Sequence, residues 1–160
     1  DLRSAEKNVQ LYHQLSGRAG RTGNESAIYF QTYTPEDEIL LNILKNNPQG
    51  FLEKELLLRK EKKLPPFYRL ISLIISGTKE ILIMKFAVAI KTKLPKINNI
   101  NILGPVVAPI NKIKKKYRCR ILIRYPKNIF IQKYLAQFLN KIKIQAGIKL
   151  EVDVDPINFS

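Results

Sequence analysis

The chain has 160 residues, of which 45% are apolar and 26% are charged. This length suffices for one good core or two small ones and is too short for a large multi-domain enzyme, while the ordinary apolar fraction excludes wholesale disorder. The 28 Lys and Arg residues against 13 Asp and Glu residues give a formal net charge of +15. Such a basic excess favours a polyanionic partner, either nucleic acid or an acidic membrane surface.

The positive charge is concentrated in the second part of the chain. Residues 1–66 hold 10 basic and 9 acidic side chains, whereas residues 67–160 hold 18 basic and 4 acidic ones. An AT-rich codon bias would raise Glu as well as Lys, yet Glu80 and Glu151 are the only glutamates after residue 66. We therefore predict a functional basic surface within residues 67–160.

The scarcity of some residue types excludes several kinds of site. Cys119 is the only cysteine and His13 the only histidine, so no disulfide framework can form and a four-ligand zinc site would lack its ligands. We expect Cys119 to be a small core residue, and His13 to be a polar residue without a specific role or a helix-surface residue. We expect no metal site. No apolar run approaches the roughly 20 residues of a membrane span, and no signal peptide is recognisable. We expect a reducing, cytoplasmic location and, since the chain starts at Asp1, a piece of a longer protein.

The first 66 residues are predicted to be mostly helical. Ser4 suits a helix cap, the glycines after residue 16 interrupt the pattern, and Thr34 opens a capping box that has Pro35 at the first helical position. The buried side of the last helix is expected to carry Phe51, Leu52, Leu56 and Leu57. The predicted elements are a helix over 4–14, a β-rich run over 27–33, and helices over 35–45 and 48–63.

Two prolines, Pro65 and Pro66, end the last of these helices and mark a boundary. The pattern beyond them becomes regular. It predicts strands over 68–76, 100–108, 114–125 and 148–154, with helices over 79–94 and 127–143. An irregularity is expected at Gly104 and Pro105. The order β-α-β-β-α-β predicts an α+β fold of the ferredoxin-like kind.

The third predicted strand combines a core face with a basic face. Cys119, Ile121, Ile123 and Tyr125 alternate with Arg118, Arg120, Leu122 and Arg124. Because both helices of such a fold cover one face of the sheet, the arginines are expected to line an open face. The alternative is a solvated strand that keeps its outer face polar.

A loop rich in lysine precedes this strand, and Tyr117 either stacks on a base or packs on the sheet edge. The basic residues contain no base-reading motif, so contact with nucleic-acid phosphates is the expectation. The predicted DNA-binding residues are Lys112, Lys114, Lys115, Lys116, Tyr117, Arg118, Arg120, Arg124 and Lys127.

A second basic motif, Gly17-Arg18-Ala19-Gly20-Arg21, lies near the start of the chain. Arg18 and Arg21 are three residues apart, so both can project from one side of a helical turn. Two adjacent guanidinium groups can clamp a phosphate, and glycines allow close backbone approach. The alternative is a basic, glycine-rich turn without a ligand.

With Gln14 in front of it, this motif resembles motif six of superfamily-two helicases, which has the form Gln-x-x-Gly-Arg-x-Gly-Arg. Further segments occur in the same order in the family of primosomal replication-restart helicases (primosomal protein N′), so the resemblance covers essentially all 160 residues. These segments are Asp1-Leu2-Arg3-Ser4-Ala5-Glu6, Gln31-Thr32-Tyr33, Leu64-Pro65-Pro66-Phe67 and Val152-Asp153-Val154-Asp155-Pro156.

The resemblance implies three segments. Residues 1–34 would be the end of the second RecA-like helicase lobe, with motif six and its final strand; residues 35–66 would be a helical connector; residues 67–160 would be the basic C-terminal DNA-binding domain. Arg18 and Arg21 would act as catalytic arginines on the ATP γ-phosphate, while Gln14 would couple that site to movement. The implied nucleotide-binding residues are Gln14, Gly17, Arg18, Gly20 and Arg21.

The same resemblance implies a parent enzyme that unwinds DNA 3′ to 5′ at stalled forks and reloads the replisome. Its implied partners are branched or single-stranded DNA, single-stranded-DNA-binding protein and primosome proteins, and we expect a monomer. ATP and Mg²⁺ would act in the parent, and zinc would bind outside this segment. The chain has no Gly-Lys phosphate loop, so we expect it to lack ATPase activity alone.

Three alternative interpretations stand against this one. Asp153 and Asp155 occupy alternate strand positions that suggest a metal pair, although the resemblance implies a structural strand exit instead. A non-enzymatic RNA- or ribosome-binding module also suits the fold and charge, but has no need of the motif from Gln14 to Arg21. A basic membrane-surface protein would require an amphipathic helix with a strong basic face, which the sequence lacks.

Overall fold

In the computed structural model, residues 3–19, 27–45, 47–113 and 116–157 are described; among these, the side chains of residues 16–19, 48 and 108–113 are not. The chain divides into two units, Asp1–Leu58 and Arg59–Ser160. The functional segments 1–34, 35–66 and 67–160 remain predictions, because a division into compact units carries no information about function.

The described part of the first unit contains helices and no strand. Helix α1 spans Ser4–Ala19, α2 spans Glu38–Leu44, and α3 spans Pro48–Glu61, with its end in the second unit. Tyr12 of α1 packs edge-on against Phe30, with 4.6 Å between ring centroids. The helix predicted over 4–14 is therefore confirmed, but it does not end before Gly17. A glycine inside a helix costs about 1 kcal/mol and does not by itself end it.

The start of α2 differs from the prediction. The N-cap is Asp37, whose Oδ1 accepts hydrogen bonds from the backbone N–H groups of Ile39 (2.8 Å) and Leu40 (3.3 Å). The predicted capping box at Thr34, with a helix from Pro35, is wrong. A carboxylate that accepts two otherwise unpaired N–H groups caps a helix well, and Asp37 offers it three residues later.

The β-rich run over 27–33 and the buried side of α3 were also predicted incorrectly. Residues 27–32 form no helix or strand. A strand needs a neighbour for its hydrogen bonds, and no other strand lies among the described residues of this unit. In α3, Phe51 is buried as expected, whereas Leu52, Leu56 and Leu57 are between 44% and 68% exposed.

The second unit has the predicted β-α-β-β-α-β order. Its elements are β1 (Tyr68–Gly77), α4 (Glu80–Lys93), β2 (Asn101–Ile113), β3 (Lys116–Pro126), α5 (Gln132–Asn140) and β4 (Ile148–Val154). The four strands form one sheet in the order β2-β3-β1-β4, and each neighbouring pair is antiparallel. The mixed α/β architecture is thereby confirmed. Helix α5 is shorter than the predicted 127–143, because a turn closed by the N–H of Ile129 and the carbonyl of Pro126 delays its start.

The core lies between the two helices and one face of the sheet. On β3, Cys119, Ile121, Ile123 and Tyr125 are each at most 2% exposed. They pack in one cluster with side chains from α4 and α5, namely Ile83, Ala87, Ile90 and Leu135. The predicted alternation of β3 is confirmed, and so is Cys119 as a small core residue.

The irregularity expected near Gly104 is present in β2. The pairing of β2 with β3 shifts register between Leu103 and Val106. Gly104 has φ +90°, and a Cβ there would lie 2.7 Å from the carbonyl oxygen of Arg120. Only glycine fits this close approach without strain. The ammonium group of Lys91 on α4 donates to the Gly104 carbonyl.

No helix in the described part of the chain combines the length and apolar character that a membrane span needs.

The buried face of α4 can be tested by one pair of substitutions. Ile83 is 2% exposed and Ile81, in the same helix, is 71% exposed. Ile83→Ala should destabilise the second unit by about 3 kcal/mol through lost burial and a residual cavity. Ile81→Ala should change stability by less than about 0.5 kcal/mol.

Cys119 is buried and carries the only thiol in the chain, so it can be labelled only when the second unit opens. Under conditions where labelling follows the open population, Ile83→Ala should accelerate thiol labelling by roughly 100-fold. Equal labelling rates for the two variants would contradict the burial of Ile83 in this core.

Candidate nucleic-acid interface

The sheet has a second face, opposite the helices, which we call the far face. Strand alternation places Lys116, Arg118, Arg120, Leu122 and Arg124 of β3 on it, because the intervening residues are in the core. The ladder to β1 sets Arg120 opposite Ile74, and Arg118 opposite Ser76. The predicted separation of arginines from the core is therefore confirmed.

The cations of β3 differ in their surroundings. Lys116 is exposed, and Arg118 and Arg120 are half-buried. Arg124 is half-buried too, but its Nη1 donates a 2.8 Å hydrogen bond to the carbonyl oxygen of Lys62, just after α3. The expectation of a fully open face is wrong at this end, because the segment after α3 holds Arg124. Its contact with DNA remains a prediction beside this structural role.

Two further predicted residues do not belong to the arginine row. Tyr117 is half-buried and packs against the core cluster, so of the two alternatives for this ring the structure favours packing. Lys127 is exposed in the turn that follows β3. It lies near Arg124 in the chain and remains a predicted phosphate contact.

The lysine cluster between β2 and β3 is only partly described. Lys112 belongs to β2 and pairs with Tyr117 in the ladder, but its side chain lies outside the described atoms. Lys114 and Lys115 lie outside the described residues. All three remain predicted DNA-binding residues.

Strand β4 adds carboxylates to the far face that the sequence reasoning missed. The ladder between β1 and β4 pairs Glu151 with Ile74, and Asp153 with Ser72. Lys149 lies on the same face, and its Nζ is 2.7 Å from Oε1 of Glu151. These residues are distant from the arginines in sequence, so only the strand order brings them together.

Arg69 and Asp155 form an ion pair at the end of β4. Nε of Arg69 is 3.3 Å from Oδ1 and 3.2 Å from Oδ2 of Asp155. The backbone N–H of Asp155, which has φ +53°, donates to the carbonyl of Leu70 at 2.8 Å. These contacts agree with a structural strand exit. Within the described ranges, no three His, Cys, Asp or Glu side chains are close enough to hold a metal ion.

The pairing changes the acid–base behaviour of Asp155. The hydrogen bond from Arg69 lowers the pKa of this carboxyl below its ordinary value of 3.8, against a smaller opposing effect of burial. On the core side, burial raises the pKa of the Cys119 thiol and of the Tyr125 phenol. The phenol oxygen of Tyr125 accepts a 3.1 Å hydrogen bond from Nε2 of Gln132.

The residues of the nucleotide motif are described only in part. Gln14 is exposed on α1, which continues through Gly17 and Arg18 to Ala19. The side chain of Arg18 is not among the described atoms, and Gly20 and Arg21 lie outside the described residues. Their roles at the ATP γ-phosphate remain predictions.

The ion pair at the strand exit leads to a pH-dependent prediction. A carboxyl whose folded pKa is lowered contributes stability above its unfolded pKa, near 3.8, and loses that contribution as the pH falls through the lowered value. Asp155→Asn should therefore be less stable than the unaltered chain at neutral pH, and the difference should vanish in acid. The substitution keeps a side chain that tolerates positive φ.

Urea unfolding followed by circular dichroism between pH 2 and pH 7 measures this difference. Asp153→Asn is the control, since Asp153 is an exposed carboxylate two residues earlier on the same strand. A difference of the same size for both variants, or one that persists in acid, would show that the Arg69 pair is not its source.

Comparisons of the sequence with known proteins find relatives that match along nearly the whole chain. The family described as primosomal protein N C-terminal domain matches residues 60–157. Over 159 residues the chain is 40% identical to replication restart protein PriA of Rickettsia felis, covering 99% of this chain and 24% of that protein. The proteins of the same name from Synechocystis sp. and Bacillus subtilis are 37% and 32% identical over 165 residues each, covering 99% and 98% of this chain and 19% and 20% of theirs.

The chain thus spans between about a fifth and a quarter of the length of these relatives. The matched residues 60–157 hold all four strands of the sheet and both helices that cover it. Since this match exceeds half of the sequence, the chain belongs to the primosomal protein N C-terminal domain family.

Proposed function

We propose that this chain supplies the DNA-binding part of an ATP-dependent 3′-to-5′ DNA helicase, which recognises stalled or branched replication forks and restarts replication. Family membership over residues 60–157 supports the assignment, as do relatives named replication restart protein. The observation that carries it is the row of cations on the far-face side of β3, opposite the buried core row.

The proposed mode of binding is contact with the DNA backbone. Lys116, Arg118 and Arg120 extend along β3 on one face, where guanidinium and ammonium groups can pair with successive phosphates. The helices on the other face fix the strand through its buried side chains. Contacts of this kind set affinity and orientation and carry little sequence information, which suits a protein that must act wherever a fork stalls.

The nucleotide part of the proposal rests on the motif in and after α1. Gln14 and Arg18 are four residues apart on one helix, hence on the same side of it. In the parent enzyme, Arg18 and Arg21 would bind the γ-phosphate of ATP and stabilise charge that develops there. ATP hydrolysis, with Mg²⁺, would supply the energy for unwinding. Zinc would be held outside this segment, since this chain has one Cys and one His.

The proposed cellular setting follows from the same family. Branched or single-stranded DNA would be the main partner, together with single-stranded-DNA-binding protein and the other primosome proteins, in the cytoplasm. The acidic tail of single-stranded-DNA-binding protein suits the same basic surface by charge, and would compete there with DNA.

Salt dependence tests the DNA contacts. If about five cations meet phosphates, the logarithm of affinity for forked DNA should fall with the logarithm of salt concentration at a slope of roughly −4. Replacing Lys114, Lys115, Lys116, Arg118 and Arg120 together by glutamine should weaken binding at least about tenfold and flatten that slope. Fluorescence anisotropy with a labelled fork measures both quantities.

The matched control replaces five exposed lysines away from β3, namely Lys79, Lys85, Lys93, Lys96 and Lys133. This variant has the same net charge as the first one. Equal loss in both variants would show that only net charge matters and would contradict the assigned face. Structured RNA that displaces the fork at lower concentration than DNA does would favour the RNA-binding alternative.

The ATP contacts lead to a separate prediction. The purified chain should show no steady-state ATP hydrolysis, with or without DNA, because it has no Gly-Lys phosphate loop. The substitution matching Arg18→Ala should lower ATP turnover of a full-length relative by about 10³-fold or more while leaving its DNA affinity unchanged. A coupled phosphate-release assay measures turnover, and hydrolysis by the chain alone that Arg18→Ala abolishes would contradict the proposal.

A further inference from the structure

The charges of the far face are arranged in stripes that follow the strands. Strand β3 carries the cations Lys116, Arg118 and Arg120. Strand β1, its neighbour, contributes only uncharged side chains to this face: Tyr68, Leu70, Ser72, Ile74 and Ser76, of which Leu70, Ser72 and Ser76 are buried. Strand β4, at the edge beyond β1, carries the carboxylates Glu151 and Asp153.

The ladders place the basic and acidic stripes at a definite separation. Arg120 lies opposite Ile74 on β1, and Ile74 lies opposite Glu151 on β4. The two charged positions are therefore two strand spacings apart, which is about 10 Å. This distance is close to the Debye length in physiological salt, so each stripe retains its own sign toward an approaching phosphate.

The acidic residues of this unit are concentrated on that one strand. Residues 67–160 contain only four carboxylates, and three of them lie on β4 and its exit: Glu151, Asp153 and Asp155. Asp155 is engaged by Arg69. Glu151 pairs with Lys149 across 2.7 Å, so the far-face side chains of β4, one cation and two carboxylates, carry a net charge of −1.

We propose that Glu151 and Asp153 exclude phosphate from the β4 side of the far face, and so select a single DNA backbone that follows β3. This inference rests on the proposed DNA binding and adds which nucleic-acid geometry the face accepts. The two carboxylates act as selectivity residues by repulsion: they weaken unwanted binding instead of strengthening the wanted one.

Duplex geometry explains why the acidic stripe discriminates. The grooves of B-DNA separate its two backbones by about 6 and 12 Å. A duplex with one backbone along β3 can lie over the sheet only toward β1 and β4, because β2 on the other side is the edge strand. Its second backbone then meets the carboxylates of β4. A single strand has no second backbone, so it avoids this repulsion and keeps its contacts with β3.

The experiment compares affinities of the chain for a single strand and a duplex of equal length at low salt. The variant is Glu151→Gln with Asp153→Asn, which keeps side-chain size and frees Lys149. The duplex affinity should rise about threefold to tenfold and the single-strand affinity less than about twofold, since removed charges act over about 10 Å through screened water. The duplex salt slope should steepen by about one as Lys149 becomes available.

The matched control is Glu36→Gln with Glu80→Gln, which removes two exposed carboxylates outside β4. Glu36 precedes α2 and Glu80 begins α4, so neither belongs to the acidic stripe on the far face. An equal gain for both DNAs, or a gain no larger than the control gives, would overturn the inference. Failure of the unaltered chain to bind either DNA would instead overturn the proposed function.

Discussion

The alternation of strand β3 is the constraint on which the rest of the second unit depends. Successive side chains of a strand point to opposite faces, so one strand contributes a core row that is at most 2% exposed and a cationic row behind it. The stability of the unit and its proposed contact with DNA therefore share one piece of backbone. A register slip of one residue would exchange the rows, burying guanidinium groups among aliphatic side chains at a cost of several kcal/mol per ion.

The direction in which the side chains of β1 and β4 point follows from the pairing of the strands with β3 and with each other. Because Ile71, Leu73 and Ile75 of β1 join the core, the alternate residues of β1 must face the other way. The same rule carries across β1 to β4, where Leu150 packs against the core and Glu151 does not. The charge pattern of the far face is therefore fixed by apolar burial on the opposite face, without any requirement for ion pairs between strands.

Local patterns predicted the features that depend on neighbours in sequence. The core row of β3, the break at Gly104 and the element order of the second unit follow from alternation, turn residues and helical spacing. Features that depend on distant residues were missed: the bond of Arg124 to the Lys62 carbonyl joins positions 62 residues apart. The run over 27–33 shows the converse error, since its strand propensity has no partner strand in the described part of its unit.

The same distinction applies to the candidate interface. Sequence separated the basic half of the chain from the near-neutral half, and the alternation of β3 placed its arginines on one side. Net charge alone describes a uniformly attractive surface. The strand order β2-β3-β1-β4 instead puts an uncharged strand between the cations and the carboxylates, so that attraction and repulsion act at positions about 10 Å apart. A surface of this kind binds polyanions in general more weakly than a uniformly basic surface would, but it distinguishes between polyanions of different width.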